Sequence, residues 1–407
     1  MKLINQAKSE KAFIFYDQVV VSGASFLTNV FLARNLGALG YGKFATIGLI
    51  QMFFLSISMS FFSQIFQVVH PQLHTNRKKN YTASIITLQC FVMLAFLLLG
   101  LIIYGFSKLY FKQFSLLILA TSITTPLLLI QDFLRRILIT SQLIKKALLA
   151  DIITNSLQMG LIYVAYFFNK LTIENSIYII GLTFIPSILF SLNGLSLNST
   201  TNFGLKFSWH THKQKSFWLT LSAFLQWSSG YFFIVVAGWW IGASAMGALR
   251  LAQYIFGLLN ILLQAIENYA LPKAVLIENK ITFFKVLLKK MLLIILPILA
   301  IMSFAATQVF HYAGGESYKG YEYVIYGLCI VYLLTTISYP IRIIIRSLHL
   351  NKEYFMGYLF SSIFSACTAF LLLKNFGLYG VLIGLAITQI ITNSFWIISI
   401  KKILLKK

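Results

Sequence analysis

The chain has 407 residues, of which 58% are apolar, 16% aromatic and 11% charged. Soluble domains carry roughly 25% charged residues, so this composition excludes a disordered, collagen-like or disulfide-rich secreted chain and nearly every soluble enzyme. Lys and Arg number 33 against 10 Asp and Glu, a formal charge of +23; in a soluble protein that excess would point to nucleic acid, but this chain is too apolar for water.

A helix that crosses a bilayer needs about 20 mostly apolar residues. Taken in chain order, twelve runs qualify: 12–34, 44–69, 82–106, 114–134, 146–168, 174–194, 216–240, 250–271, 286–308, 321–341, 354–373 and 377–400. The first is too long for the apolar core of a signal peptide and no small-residue cleavage site follows it, so it reads as a retained helix. Runs of this length exclude the alternating pattern of a membrane barrel. The expected fold is therefore an all-α polytopic membrane protein with about twelve transmembrane helices. An even count puts both termini on one side. Alternating the connections places 25 of the 33 basic residues on that side and 8 on the other, which the positive-inside rule assigns to the cytoplasm. The basic excess is then mainly a topology signal, and no nucleic-acid partner is expected.

The chain also repeats itself. GALGYG at 37–42 matches GASAMG at 242–247, an offset of 205, and RILITSQLIKK at 136–146 matches RIIIRSLHLNK at 342–352, an offset of 206. A looser match pairs Gln64 and Pro71 with Gln264 and Pro272. Half the chain per repeat predicts two parallel six-helix lobes related by an axis along the membrane normal. The expected organisation is an N-terminal lobe over 1–195, a cytoplasmic linker over 196–215 and a C-terminal lobe over 216–407.

Polar residues fall at helical spacing on four runs. The first carries Gln18, Ser22, Ser25 and Asn29; the second Ser56, Ser60, Ser63 and Gln67, with Gln64 alongside; the seventh Ser222, Gln226 and Ser229; the eighth Gln253, Asn260, Gln264 and Glu267. Such stripes face a water-filled cavity or glue helices together. Asp17 and Glu267 share stripes with other polar groups, and a buried unpaired acid there would bind a proton or a cation, so both are ion-coupling candidates. Asp132 and Asp151 read as helix-end charges. Arg34 and Arg250 sit at the outer ends of the first and eighth runs, where a guanidinium suits a phosphate or simply reaches the interface. Cys90, Cys329 and Cys367 lie far apart in apolar runs and read as core residues. His210 and His212 read as a solvated linker pair rather than a metal site. The sequence offers no metal ligands, no cofactor motif and no catalytic set, so an enzyme is not expected.

LARNLGALGYGKFA (32–45) resembles the first inter-helix signature of the polysaccharide (O-antigen/capsule-type) flippases of the multidrug/oligosaccharidyl-lipid/polysaccharide exporter superfamily. DQVVVSGASFLTNVFLAR resembles their first helix. RRILITSQLIKKALLADII and RIIIRSLHLNKEYF resemble their linkers into helices 5 and 11. The resemblance implies a central cavity built by helices 1, 2, 7 and 8, and a multi-pass protein of the bacterial inner membrane. It further implies transport of an undecaprenyl-diphosphate-linked oligosaccharide by alternating access, for O-antigen and lipopolysaccharide or for capsule. Partners would be that lipid-linked oligosaccharide, membrane lipids, a polysaccharide polymerase and chain-length machinery. The cavity set is then Gln18, Ser22, Ser25, Asn29, Arg34, Ser60, Gln64, Gln67, Gln226, Arg250, Gln253, Asn260 and Gln264. One departure is that the seventh run carries no charged residue. A cation-coupled multidrug exporter of the same superfamily is the alternative reading, and a membrane glycosyltransferase or polymerase a more distant one.

Overall fold

The computed structural model describes residues 2–195 and 202–404, with side chains at 20–74, 77–195, 204–267 and 269–403. The helices run in the order α1 (Lys2–Ser58), α2 (Gln64–Val69), α3 (Thr75–Tyr110), α4 (Ser115–Thr140), α5 (Ile144–Phe167), α6 (Ile173–Leu182), α7 (Phe184–Asn193), α8 (Asn202–Trp240), α9 (Ala243–Leu276), α10 (Lys280–Phe304), α11 (Ala306–Gly314), α12 (Tyr323–Ser347) and α13 (Asn351–Leu404). No strand occurs among the described residues.

Among the described residues, ten helical stretches are long and apolar enough to cross a membrane, and two of them, Val20–Gln72 and Asn351–Ile403, are 53 residues long. An unbroken helix of that length would reach about 80 Å, against about 30 Å of hydrocarbon. Each is in fact two helices. The first breaks at Gly37 (φ 66°, ψ 174°) and the second at Gly377 (φ 55°, ψ −132°), both left-handed conformations that only glycine takes at little cost. With those two divided, the stretches among the described residues number twelve. The chain is a multi-pass, all-helical membrane protein.

Helix ends are closed by one recurring device. Gln142, Asn169 and His349 each take positive φ (60°, 54° and 56°) just past the ends of α4, α5 and α12. After α4, the Gln142 N–H donates to the Ile139 carbonyl at 3.0 Å and the Leu143 N–H to the Leu138 carbonyl at 2.8 Å. After α12, the His349 N–H donates to Arg346 at 3.1 Å and the Leu350 N–H to Ile345 at 3.1 Å. After α5, the Asn169 and Lys170 N–H groups repeat the pattern onto Tyr166 and Ala165. These are Schellman caps, which satisfy carbonyls the helix leaves open. Gln142 and His349 lie 207 residues apart, so the repeat in this stretch aligns at 207 and not at the 206 of the sequence match.

By their contacts the residues group into two compact units, Met1–Thr28 with Ile47–Phe224 and Asn29–Thr46 with Leu225–Lys407. This grouping differs from the expected 1–195 and 216–407. The expected linker is also different: from Asn202 onward it is the first third of α8, while 196–201 lie outside the described residues. The reason is a stripe at four-residue spacing. Gly204, Ser208, His212 and Ser216 are all buried, and a Cβ on Gly204 would sit 2.5 Å from Asn80 Oδ1 and 2.6 Å from Ser84 Oγ of α3. Small residues allow that close approach. The first unit's core follows directly, with Phe62, Ile65, Phe66, Tyr81, Phe133 and Ile137 packed together.

In the second unit the two glycine-rich segments of the repeat meet each other. A Cβ on Gly42 would lie 1.7 Å from the Ala243 carbonyl oxygen, and one on Gly247 would lie 2.3 Å from that of Ala38. Residues 38 and 243, like 42 and 247, are repeat counterparts. The contact is therefore reciprocal, the pattern of a local two-fold axis. Gly42→Ala is expected to lower stability by about 1–3 kcal/mol, the range for overpacking a filled site. Gly48→Ala, in helix with open space around it, is expected to be neutral or stabilising by up to about 1 kcal/mol. Thermal unfolding of the purified variants in detergent checks the pair.

Candidate functional site

Arg250 is the organising residue of the second unit's polar centre. Gly242 (φ 121°) precedes α9, and the helix then places Gln253 and Tyr254 three and four residues beyond Arg250, on the same face. One guanidinium nitrogen donates to Gln253 Oε1 at 2.9 Å, and the other to the Tyr254 hydroxyl at 3.3 Å. The guanidinium also lies 5.0 Å from the Tyr254 ring centroid and 5.8 Å from that of Tyr231, within cation–π range. Tyr41 is within electrostatic reach, and its hydroxyl donates to Asn29 Oδ1 at 3.0 Å. Deeper along α9, Asn260 donates to the Tyr332 hydroxyl at 3.0 Å, and the Tyr332 ring packs on Phe256 at 4.7 Å.

Arg250 is only 3% exposed, so it does not stand at an open cavity mouth as the sequence position implies. The cause is the glycine contact. Because 38–42 and the start of α9 meet backbone to backbone, a side chain two turns into α9 comes within electrostatic reach of Tyr41. Arg34 behaves differently: it is exposed and donates to the Tyr312 carbonyl at 2.9 Å. Nearby, the Ala38 N–H donates to Ser317 Oγ at 3.2 Å.

Arg250, Gln253, Asn260 and Asn29 are thus brought into one neighbourhood of the second unit, while Gln226 and Gln264 of that unit are exposed. In the first unit Ser22 and Ser25 are half-buried, and Gln64 and Gln67 are exposed. Ser60 is fully buried in a π-helical turn, Met59–Ser63, with its hydroxyl 2.8 Å from the Ile57 carbonyl and 3.2 Å from Thr220 Oγ1. Asp17 and Gln18 lie outside the residues whose side chains are described. The tyrosines at 41, 231, 254 and 332 were not part of the expected set. Their signal was available as Tyr254 at i+4 from Arg250, but an aromatic ring counts as apolar in a polar-stripe search.

Glu267 is not an unpaired acid. Its carboxylate accepts from the Arg342 guanidinium and from Arg346 Nη1, the latter at 2.8 Å. Arg342 in turn stacks 4.1 Å above the centroid of Tyr339. The condition behind its ion-coupling expectation is therefore not met. Asp151 is likewise buried, with Gln131 donating at 3.1 Å and Arg135 paired to it, and Asp132 pairs with Arg136 at 2.7 Å across one helical turn. His212 is buried and not a solvated linker residue. Phe61 presents only a carbonyl, so Nδ1–H donates to it at 2.7 Å. Nε2 then accepts from the Tyr81 hydroxyl, also at 2.7 Å, and both ring nitrogens are occupied. Among the described residues no group of three or more metal-ligating side chains exists.

No protein-family model matches the chain, and no curated protein matches it. Solved structures do. The lipid II flippase MurJ, in an inward closed conformation, superposes with a TM-score of 0.74 at 18% identity, covering 96% of this chain and 87% of that one. An outward-facing multidrug resistance MATE transporter of the MOP superfamily gives 0.64 at 14%, covering 94% and 93%. The eukaryotic MATE transporter AtDTX14 gives 0.66 at 12%, covering 97% and 95%. At such identities the likeness establishes the fold: this chain folds as MOP-superfamily transporters and flippases do.

Glu267→Gln is expected to destabilise the second unit by roughly 1.5–3 kcal/mol, because a half-buried and an exposed arginine lose the carboxylate they share. Glu267→Asp should lose less. Unfolding in detergent reads both. An ion-coupling residue would behave otherwise, with Glu267→Gln folding normally and losing only pH-dependent transport.

Proposed function

We propose that this protein is a flippase. It carries undecaprenyl-diphosphate-linked oligosaccharide repeat units across the bacterial inner membrane by alternating access, for O-antigen or capsule assembly. The observation that carries the reading is Arg250, a guanidinium buried in a membrane protein and held among tyrosines and amides. Ionisable groups in membrane segments are costly and mark substrate or ion pathways. A guanidinium presents a fork of donors that matches phosphate oxygens. The hydroxyls of Tyr41, Tyr254 and Tyr332 and the amides of Asn29, Gln253 and Asn260 suit the hydroxyl groups of a glycan. The fold shared with a lipid II flippase supports a lipid-linked substrate. In this reading the substrate diphosphate meets Arg250 and the sugars meet the tyrosine and amide groups around it.

The crowding of basic residues on one side of the expected topology supports cytoplasmic termini. A polysaccharide polymerase and chain-length machinery would receive the flipped units on the far side. The second reading is a multidrug exporter, favoured by the likeness to MATE transporters. Glu267 gives that reading little help, since two arginines already neutralise it.

A deletion strain should accumulate lipid-linked repeat units in the cytoplasmic leaflet and lose surface glycan. Arg250→Ala, produced at wild-type level and with wild-type melting behaviour, should restore tenfold less surface glycan or lower, on the order expected for losing a charge-assisted phosphate contact. Arg250→Lys should restore part of it, and Arg34→Ala should restore more than Arg250→Ala. Normal surface glycan in the deletion strain overturns the flippase reading, and a simultaneous loss of drug extrusion would establish the exporter instead.

A further inference from the structure

At one end of the second unit, α10, α12 and α13 leave a groove of about 490 Å³. Ile281 and Phe284 of α10, Ile341 and Ile344 of α12, and Ile397 and Ile400 of α13 form its walls. On each helix these residues are three positions apart, so each contributes one stripe. Lysines at 280, 285 and 401 complete the lining. We infer that this groove binds an anionic glycerophospholipid, with acyl chain between the three helices and headgroup phosphate at Lys285 and Lys401.

The walls exclude a polar occupant. Apart from the lysines they offer no hydrogen-bonding side chain, so a peptide laid there would leave its backbone unsatisfied. They also do not collapse. Ile341, Ile345 and Trp396 form a packed cluster beneath, with Phe284 and Ile400 against it. Trp396 stacks on Tyr354 with ring centroids 5.2 Å apart and meets Tyr358 edge-on at 5.4 Å. A rigid apolar trough on a bilayer protein is filled by lipid chains.

The rim selects the headgroup. Lys285 and Lys401 are exposed, and neither has an ion pair or hydrogen bond among the described residues. Lys280 is anchored: its ammonium donates to the Ala274 and Val275 carbonyls at the end of α9. No acid lines the groove among the described residues, so nothing there would meet the ammonium of a zwitterionic headgroup. α10 begins and α13 ends at this rim, which puts all three cations at one interface. Basic pockets between membrane helices recognise anionic headgroups in this way. The site is independent of what the protein transports.

The test is native mass spectrometry of the full-length protein released from nanodiscs holding equal phosphatidylglycerol and phosphatidylcholine. The wild type should retain phosphatidylglycerol preferentially. Lys285→Ala with Lys401→Ala should lower its retention about 30-fold, two lysines' worth of headgroup attraction, and leave phosphatidylcholine unchanged. Lys280 is left intact because it caps α9. Ile281→Trp, at an exposed wall position, should lower retention of both lipids, which keeps the groove testable if the double variant folds poorly. Equal retention of the two lipids by the wild type, or undiminished phosphatidylglycerol on the double variant, overturns the inference. So does displacement of bound phosphatidylglycerol by an equal concentration of undecaprenyl phosphate, which would make the groove a seat for the isoprenoid carrier.

Discussion

In hydrocarbon there is no water to satisfy a peptide group, and each one left bare costs several kcal/mol. That constraint decides where this chain is allowed to turn. Its reversals occur where a local device closes the open carbonyls or where glycine makes the bend inexpensive. Gln142, Asn169 and His349 take the left-handed conformation that a Schellman cap needs. Gly37, Gly242 and Gly377 take positive φ at the tightest reversals. The same glycine-rich segments then allow Gly42 and Gly247 to bring two helix starts together with no side chain between them. The polar centre depends on this approach, because it brings Tyr41 within electrostatic reach of Arg250.

The repeat keeps the frame and exchanges the chemistry. At the structural offset of 207, Arg135 corresponds to Arg342 and Asp151 to Tyr358. In the first unit Arg135 pairs with Asp151 of the next helix. In the second unit Tyr358 stands near Arg342, and the carboxylate comes from Glu267 of α9 instead. An arginine at this helix end is retained in both halves and its counter-charge is supplied from different helices. A buried charge tolerates relocation of its partner but not loss of it, which is why one-to-one matching of charged residues across the repeat finds little.

Helix number and class were legible because hydropathy over 20 residues is a coarse signal that survives local detail. The breaks at Gly37 and Gly377 divide what would otherwise be single 53-residue stretches, and the sequence spans already ended near both. The region 196–215 was less legible. Its serine, histidine and lysine content reads as solvated, yet the four-residue spacing of Gly204, Ser208, His212 and Ser216 gives a helix a face small enough to pack. The polar stripe on α9 put Gln253 and Asn260 on one face, and Arg250 read separately as an arginine at the outer end of the same run. It could not predict the tyrosines, which count as apolar by composition and act here through their hydroxyls and ring faces. Nor could it separate Glu267 from the rest of that stripe, because Arg342 and Arg346 lie about 75 residues or more away in sequence.

The two arginine centres of the second unit are built differently, with Arg250 buried, Arg342 half-buried and Arg346 exposed. At Glu267 one carboxylate meets both Arg342 and Arg346, so the site ties helices α9 and α12 together while the two arginines outnumber the acid. Around Arg250 the contacts are an amide, from Gln253, and two phenols, from Tyr231 and Tyr254. They fix the guanidinium's orientation through an amide oxygen, a hydroxyl and two ring faces, and none of them cancels its charge. A carboxylate drawn from another helix fastens two helices, whereas amide, hydroxyl and ring contacts mainly orient a guanidinium.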